Sequence, residues 1–225
     1  MNNRFTLNYA LEIEQSIRND LSINLIDFNF FPTFTFKKNH LRCNADCSSE
    51  RLNEIRRCLN YCFRSVGGKH NRIRPKDMIY YLKDEVSSNL NWHVHAVVDL
   101  SPLIKKGIPV EWFWRKVNSY WSTQYASYLK FDTWKLLESK VKEPRHGWMN
   151  VERTKVDNGF DLDNQHSRRT LFNYQTKLVR DYELDGETEQ RVVSNLAYLP
   201  SYGLLETLRK RSNELGTELQ YIKRN

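Results

Sequence analysis

No apolar run in this chain of 225 residues approaches the roughly 20 residues that a membrane-crossing helix needs. The first residues, Met1-Asn2-Asn3-Arg4-Phe5-Thr6, lack the apolar core of a secretory signal. A cytoplasmic protein with no membrane partner is therefore expected. There is no internal repeat and no low-complexity tract. The stretch Gly67-Gly68-Lys69-His70 lacks the spacing of a phosphate-binding loop, which argues against an ATPase. Cysteine is confined to Cys43, Cys47, Cys58 and Cys62, in the pattern C-x3-C-x10-C-x3-C. That spacing falls within the loose limits of zinc ligands. Cys58 and Cys62, however, share a predicted helix with Leu52, Ile55, Leu59 and Phe63, flanking its apolar stripe as small hydrophobes do. Zinc and buried thiols both stay open; a disulfide would be out of place in a reducing compartment.

What is abundant is positive charge and aromatic residues, the latter pointing to a packed globular domain. The formal charge is +8 and the pI is near 9.3, which favours a polyanionic partner, above all nucleic acid. The chain is long enough for one good core, with or without a helical appendage. Periodicity predicts a helix over 7–20, a strand from Phe28 to Lys37, and a helix from Ser48 or Ser49 to about Val66, ended by Gly67-Gly68. A strand from Met78 to Glu85 follows, then a polar turn at Ser87-Ser88-Asn89 and a strand from Trp92 to Leu100. Pro109 opens a helix with the stripe Val110, Phe113, Val117, Trp121 and Tyr125. A strand from Trp148 to Val156 and a loop at Asp157-Asn158-Gly159 come next. A basic helix then holds Arg168, Arg169, Tyr174, Lys177 and Arg180, and a last helix spans about Leu204 to Ile222. This order predicts an α+β fold: an antiparallel sheet with helices on one face and the other face open to a ligand. The expected division is 1–183 for the main domain and 184–225 for a helical extension.

The chemistry concentrates in Trp92-His93-Val94-His95-Ala96-Val97-Val98-Asp99-Leu100. Alternation places His93 and His95 on one strand face, where two imidazoles can converge on a divalent ion. A carboxylate should complete such a site. If the hairpin pairs Glu85 with His93 and Lys83 with His95, Glu85 shares the histidine face and Asp84 points away. A slip of one residue would exchange them, so Glu85 is the first choice and Asp84 the fallback. Thr33 and Thr35 are expected on the same open face.

Three motifs in order carry a resemblance: Phe31-Pro32-Thr33-Phe34-Thr35-Phe36, then His93-Val94-His95, then Tyr174-Gln175-Thr176-Lys177. Together they resemble the HUH endonucleases, specifically the single-tyrosine initiators of rolling-circle replication in plasmids and single-stranded DNA phages. The resemblance spans roughly Phe31 to Lys177. It implies a ferredoxin- or RRM-like sheet with a central histidine strand, and Mg²⁺ or Mn²⁺ held by His93, His95 and Glu85. It further implies Tyr174 as the nucleophile that forms a 5′-phosphotyrosine link, and Lys177 as a charge beside it. The implied substrate is single-stranded DNA or an origin hairpin, contacted by Thr33, Thr35, Lys37, Arg168, Arg169 and Arg180. The host would supply a separate helicase and polymerase.

Related classes fit less well. Relaxases place the tyrosine near the N-terminus; Tyr9 is available, but no earlier histidine is suitably spaced. Single-tyrosine transposases usually carry glutamine four residues after the tyrosine, where this chain has Leu178. Two-tyrosine initiators need a second tyrosine one turn away, and Tyr182 lies two turns off. A non-catalytic nucleic-acid-binding protein and a zinc-stabilised interaction module are the alternatives from other classes. Arg209, Lys210, Arg211, Lys223 and Arg224 are read either as a DNA grip or as a solvated helix face.

Overall fold

The structure is a computed structural model. It describes residues 7–23, 28, 30–35, 47–86, 92–125, 149–151, 169, 172–174, 176–184, 187–192 and 198–216. In chain order the elements are α1 (Leu7–Ile23), β1 (Pro32–Thr35), α2 (Ser48–Val66), β2 (Ile79–Val86), β3 (Trp92–Asp99), the short α3 (Ser101–Ile104) and α4 (Val110–Tyr125). β4 (Met149–Val151), β5 (Val179–Leu184), β6 (Glu187–Val192), β7 (Tyr198–Pro200) and α5 (Tyr202–Leu215) follow. Five strands form one antiparallel sheet in the order β4-β1-β3-β2-β7, which puts the histidine strand at its centre. β5 and β6 form a separate antiparallel pair.

The alternation of β3 builds the first core. Val94, Ala96 and Val98 point to the same side as Tyr80 and Leu82 of β2 and Phe34 of β1. There they meet Leu52, Ile55, Cys58, Leu59, Cys62 and Phe63 of α2, and Phe113, Val117 and Trp121 of α4. Aromatic edges seal the contact: Phe34 and Trp121 stand with ring centroids 5.0 Å apart, nearly perpendicular. Cys58 and Cys62 are free thiols wholly buried in this core, and Cys43 lies outside the described residues.

The second face departs from the expectation of helices on one side only. It is split along the strands. At one end, Phe31, Tyr81 and Val97 are apolar, and they are covered by Ile13, Ile17 and Leu21 of α1 and Leu204 and Leu208 of α5. At the other end the same face turns polar, with Thr33, Lys83, Glu85, His93 and His95 in register. A period-two pattern reveals which residues share a face, but the composition along that face changes within a strand. The apolar stripes of α1 and α5 therefore bury at one end and leave the other for chemistry.

Other boundaries also differ. Lys177 follows the helical residues around Tyr174, and Arg180 lies on β5 rather than on a helix. The 184–225 stretch, expected to be helical, also supplies β6 and edge strand β7, which pairs with β2. α5 begins earlier than expected because Ser201 caps it: its Oγ accepts from Leu204 N at 3.1 Å and from Tyr80 N at 3.0 Å, and donates to Met78 O at 2.7 Å. One hydroxyl thus ties the helix start to the sheet. Gly203 makes the contact close, since a Cβ there would stand 2.3 Å from Met78 O. The helix ends at Gly216 in the left-handed region, at φ 63°. The turn at 87–89, residues 152–156 and the loop at 157–159 lie outside the described residues.

Asp84 and Arg51 form the most buried ion pair of the first core. The guanidinium grips the carboxylate with Nε–Oδ1 at 2.8 Å and Nη2–Oδ2 at 2.6 Å, and Ser48 Oγ donates to Oδ2 at 2.6 Å. The guanidinium also lies over the Trp92 ring, 4.3 Å from its centroid. Removing one partner strands a buried charge, so Arg51→Ala is expected to lower unfolding stability by about 3–5 kcal/mol. Urea denaturation of the variant checks this. Gly203→Ala should also destabilise, because the new Cβ meets backbone that cannot swing away.

Candidate metal centre

β2 and β3 pair in the register that sets Glu85 opposite His93 and Lys83 opposite His95. Glu85, His93 and His95 therefore share a face, and their donor atoms all lie within 4.8 Å of one another. His95 Nε2 is 3.2 Å from Glu85 Oε2 and 3.2 Å from His93 Nε2; His93 Nε2 is 4.0 Å from Glu85 Oε1. Donors around a small octahedral ion at ~2.1 Å stand about 3 Å apart, so only minor closure is needed. Imidazole nitrogen suits first-row transition ions and carboxylate oxygen suits Mg²⁺ and Mn²⁺. Of those two ions, Mn²⁺ satisfies both ligand types. Asp84, the fallback ligand, points into the opposite core and is engaged with Arg51.

The surroundings orient these ligands. Thr33 Oγ1 lies 2.9 Å from His95 Nδ1. With Nε2 turned to a metal, Nδ1–H donates to that hydroxyl and holds the ring. Thr33 was expected to face DNA; it is buried, and its register with His95 makes it a support for the ligand instead. Lys83, wholly buried, places Nζ 2.8 Å from Glu85 Oε2. Burial alone would raise the Glu85 carboxyl. The His95 hydrogen bond and the charges of Lys83, His95 and His93 outweigh it and hold the group well below the ordinary carboxylate range. Burial lowers the His95 imidazole, and the Lys83 and Lys177 charges act the same way, against the opposing pull of Glu85.

Tyr174 arrives at this centre from far along the chain. Its ring centroid is 6.0 Å from that of His95, edge to face, and its side chain is partly exposed at 44%. Lys177 Nζ stands 3.4 Å from the centre of the Tyr174 ring. The two were expected to share a helix face; Lys177 reaches the ring from beyond the helical residues instead.

Sequence reasoning missed what holds this segment. Glu14 Oε2 of α1 accepts from Leu178 N at 2.6 Å and Val179 N at 3.2 Å. Arg18, paired with Glu14 at 2.6 Å, donates to Thr176 Oγ1 at 3.3 Å and to Asn173 O. Lys83 Nζ donates to Lys177 O. The i,i+4 spacing of Glu14 and Arg18 is visible in the sequence, but it reads as a surface pair; nothing local shows that both reach residues 173–179. Of the remaining expected contacts, Arg169 is exposed, while Lys37, Arg168 and the side chains of Thr35 and Arg180 lie outside the described residues. Among the described residues no helix is long and apolar enough to cross a membrane.

Mn²⁺ should raise the melting temperature of the protein, and His93→Ala, His95→Ala and Glu85→Gln should each abolish most of that rise in a thermal-shift titration. Because Glu85 stays ionised in mild acid, acidification should release the metal by protonating histidine ligands rather than the carboxylate. With His95 lowered, its share of the Mn²⁺ affinity should be present at neutral pH and lost only as pH drops below the ordinary histidine range. Calorimetry across that range checks the sign.

The chain matches no protein-family model, no curated protein and no solved structure. Its chemistry rests on its own geometry: an α+β domain in which buried Glu85 and His95 and half-buried His93 can hold a divalent metal ion.

Proposed function

We propose that this protein is a metal-dependent endonuclease of the HUH type, which nicks and rejoins single-stranded DNA through a tyrosine and serves rolling-circle replication. The observation that carries the reading is the convergence of Tyr174 and Lys177 on the Glu85–His93–His95 cluster from a separate part of the chain. The sheet supports it. Among the described elements, α2 lies between β1 and β2, and α3 and α4 lie between β3 and β4, with the spatial order β4-β1-β3-β2; this order is compatible with the ferredoxin-like sheet that the reading requires.

A bound Mn²⁺ or Mg²⁺ would supply Lewis-acid stabilisation of charge on the scissile phosphate. The rest of the chemistry belongs to the chain. Tyr174 Oη attacks phosphorus in line, the new O–P bond forms, and the bond from phosphorus to the 3′ oxygen breaks. The phenolic proton is released and the departing 3′ oxygen takes one up. The products are a 5′-phosphotyrosine and a free 3′-OH that a polymerase can extend. Attack by a 3′-OH on the phosphotyrosine reverses the step and rejoins the strand. Lys177 stabilises the phenolate as it forms. His93, His95 and Glu85, held by Thr33 and Lys83, keep the ligand set arranged before substrate arrives.

The proposed substrate is single-stranded DNA or an origin hairpin, consistent with the basic composition. In this reading, helicase and polymerase activities come from separate host proteins.

Incubation with labelled single-stranded DNA and Mn²⁺ should give a denaturation-resistant adduct, and mass spectrometry of the trimmed adduct should place the nucleotide on Tyr174. Tyr174→Phe should bind DNA and form no adduct; full cleavage by that variant would sink the mechanism. Lys177→Ala should slow adduct formation while leaving binding intact. The logarithm of DNA affinity should fall linearly with the logarithm of salt concentration; a flat response in a filter-binding series would count against phosphate contacts.

A further inference from the structure

We propose that Lys83 is a positioning residue that joins the metal cluster to the Tyr174 segment, and that its charge sets how tightly the cluster holds a cation. The inference rests on the function proposed above and adds a residue and a regulatory role to that site. Lys83 sits on β2 opposite His95, wholly buried. Two of the contacts of its Nζ are of different kinds. One is to Glu85 Oε2 at 2.8 Å, the carboxylate that a metal would use. The other is a donated hydrogen bond to Lys177 O, three residues beyond Tyr174.

The first contact has an electrostatic consequence. A buried ammonium is stable only when paired, and a buried carboxylate likewise. Lys83 neutralises Glu85 and holds the carboxylate on the histidine face before any metal arrives. The same positive charge lies a few ångströms from the point where the cation would sit and repels it in a poorly screened interior. Lys83 therefore preorganises the cluster and weakens its grip, which keeps the metal exchangeable.

The second contact has a geometric consequence. The segment 173–179 is tied from one side by Glu14 and Arg18 of α1, and from the sheet by Lys83. The Lys83 tie refers the segment to the metal carboxylate, beside the edge-to-face contact of Tyr174 with His95. Without it, α1 and the His95 ring still hold the segment, but the Tyr174 oxygen is placed less closely relative to the metal carboxylate. A displacement near 1 Å at such a position costs on the order of a hundredfold in rate.

Two variants separate these roles. Lys83→Met removes both charge and donor at similar size; Lys83→Gln removes the charge and keeps an N–H donor. Isothermal calorimetry with Mn²⁺ alone should show both binding the ion at least about tenfold more tightly than the unaltered protein, because the repulsion is gone. Single-turnover adduct formation at saturating Mn²⁺ should fall about a hundredfold in Lys83→Met and by less than about tenfold in Lys83→Gln. A merely structural lysine would give weaker metal binding together with slower chemistry in both. Unchanged or weaker Mn²⁺ affinity in the folded variants would overturn the charge role, and equal adduct rates in the two would overturn the positioning role. If Lys83→Met does not fold, the affinity of Lys83→Gln decides the charge role and its near-normal or hundredfold-reduced rate decides the other. An unaltered protein that binds Mn²⁺ but forms no adduct would refute the proposed nicking activity while leaving the affinity comparison to judge Lys83. One that binds no Mn²⁺ would overturn both.

Discussion

Two carboxylates on consecutive residues of β2 are buried on opposite faces of the sheet, and most of the architecture answers the need to satisfy them. A strand side chain has no choice of face once its neighbours are set, so Asp84 and Glu85 must find separate partners. Asp84 takes Arg51 and Ser48, which docks the first turns of α2 on the sheet. Glu85 takes Lys83 and His95, which gathers positive and metal-ligating groups on the other side. The pair of Arg51 with Asp84 also sits under Trp92, the first residue of the histidine strand, so the structural anchor and the candidate site share a strand end.

The split second face gives the site its environment. α1 and α5 bury the apolar half. The cluster lies on the polar half of the same face, and Tyr174 reaches it from the segment that α1 holds. The Glu14 and Arg18 contacts fix the position of the Tyr174 segment against this centre. Glu14 does two things at once: it accepts the two backbone N–H groups that follow Lys177, and it balances Arg18. Such side chain to backbone contacts fix a chain path without regular structure. They account for the turn out of the Tyr174 helical residues into β5, where periodicity alone predicted a continuing helix through Arg180.

The sequence by itself determined the alternation of β2 and β3, and with it the shared face of Glu85, His93 and His95. It also determined the helical positions of Cys58 and Cys62 and the apolar stripes of α2 and α4. These are local consequences of period and of propensity, which neighbouring residues impose on one another. Only the tertiary structure decided that α1 crosses to the second face, that Thr33 supports His95, and that Ser201 starts α5 earlier. It likewise decided that Lys83, Glu14 and Arg18 converge on the Tyr174 segment from two distant elements. The first depends on an apolar helix stripe finding its apolar half-face, the others on polar groups finding partners across the fold, and the identity of such a partner is a matter of three-dimensional distance that no spacing along the chain encodes.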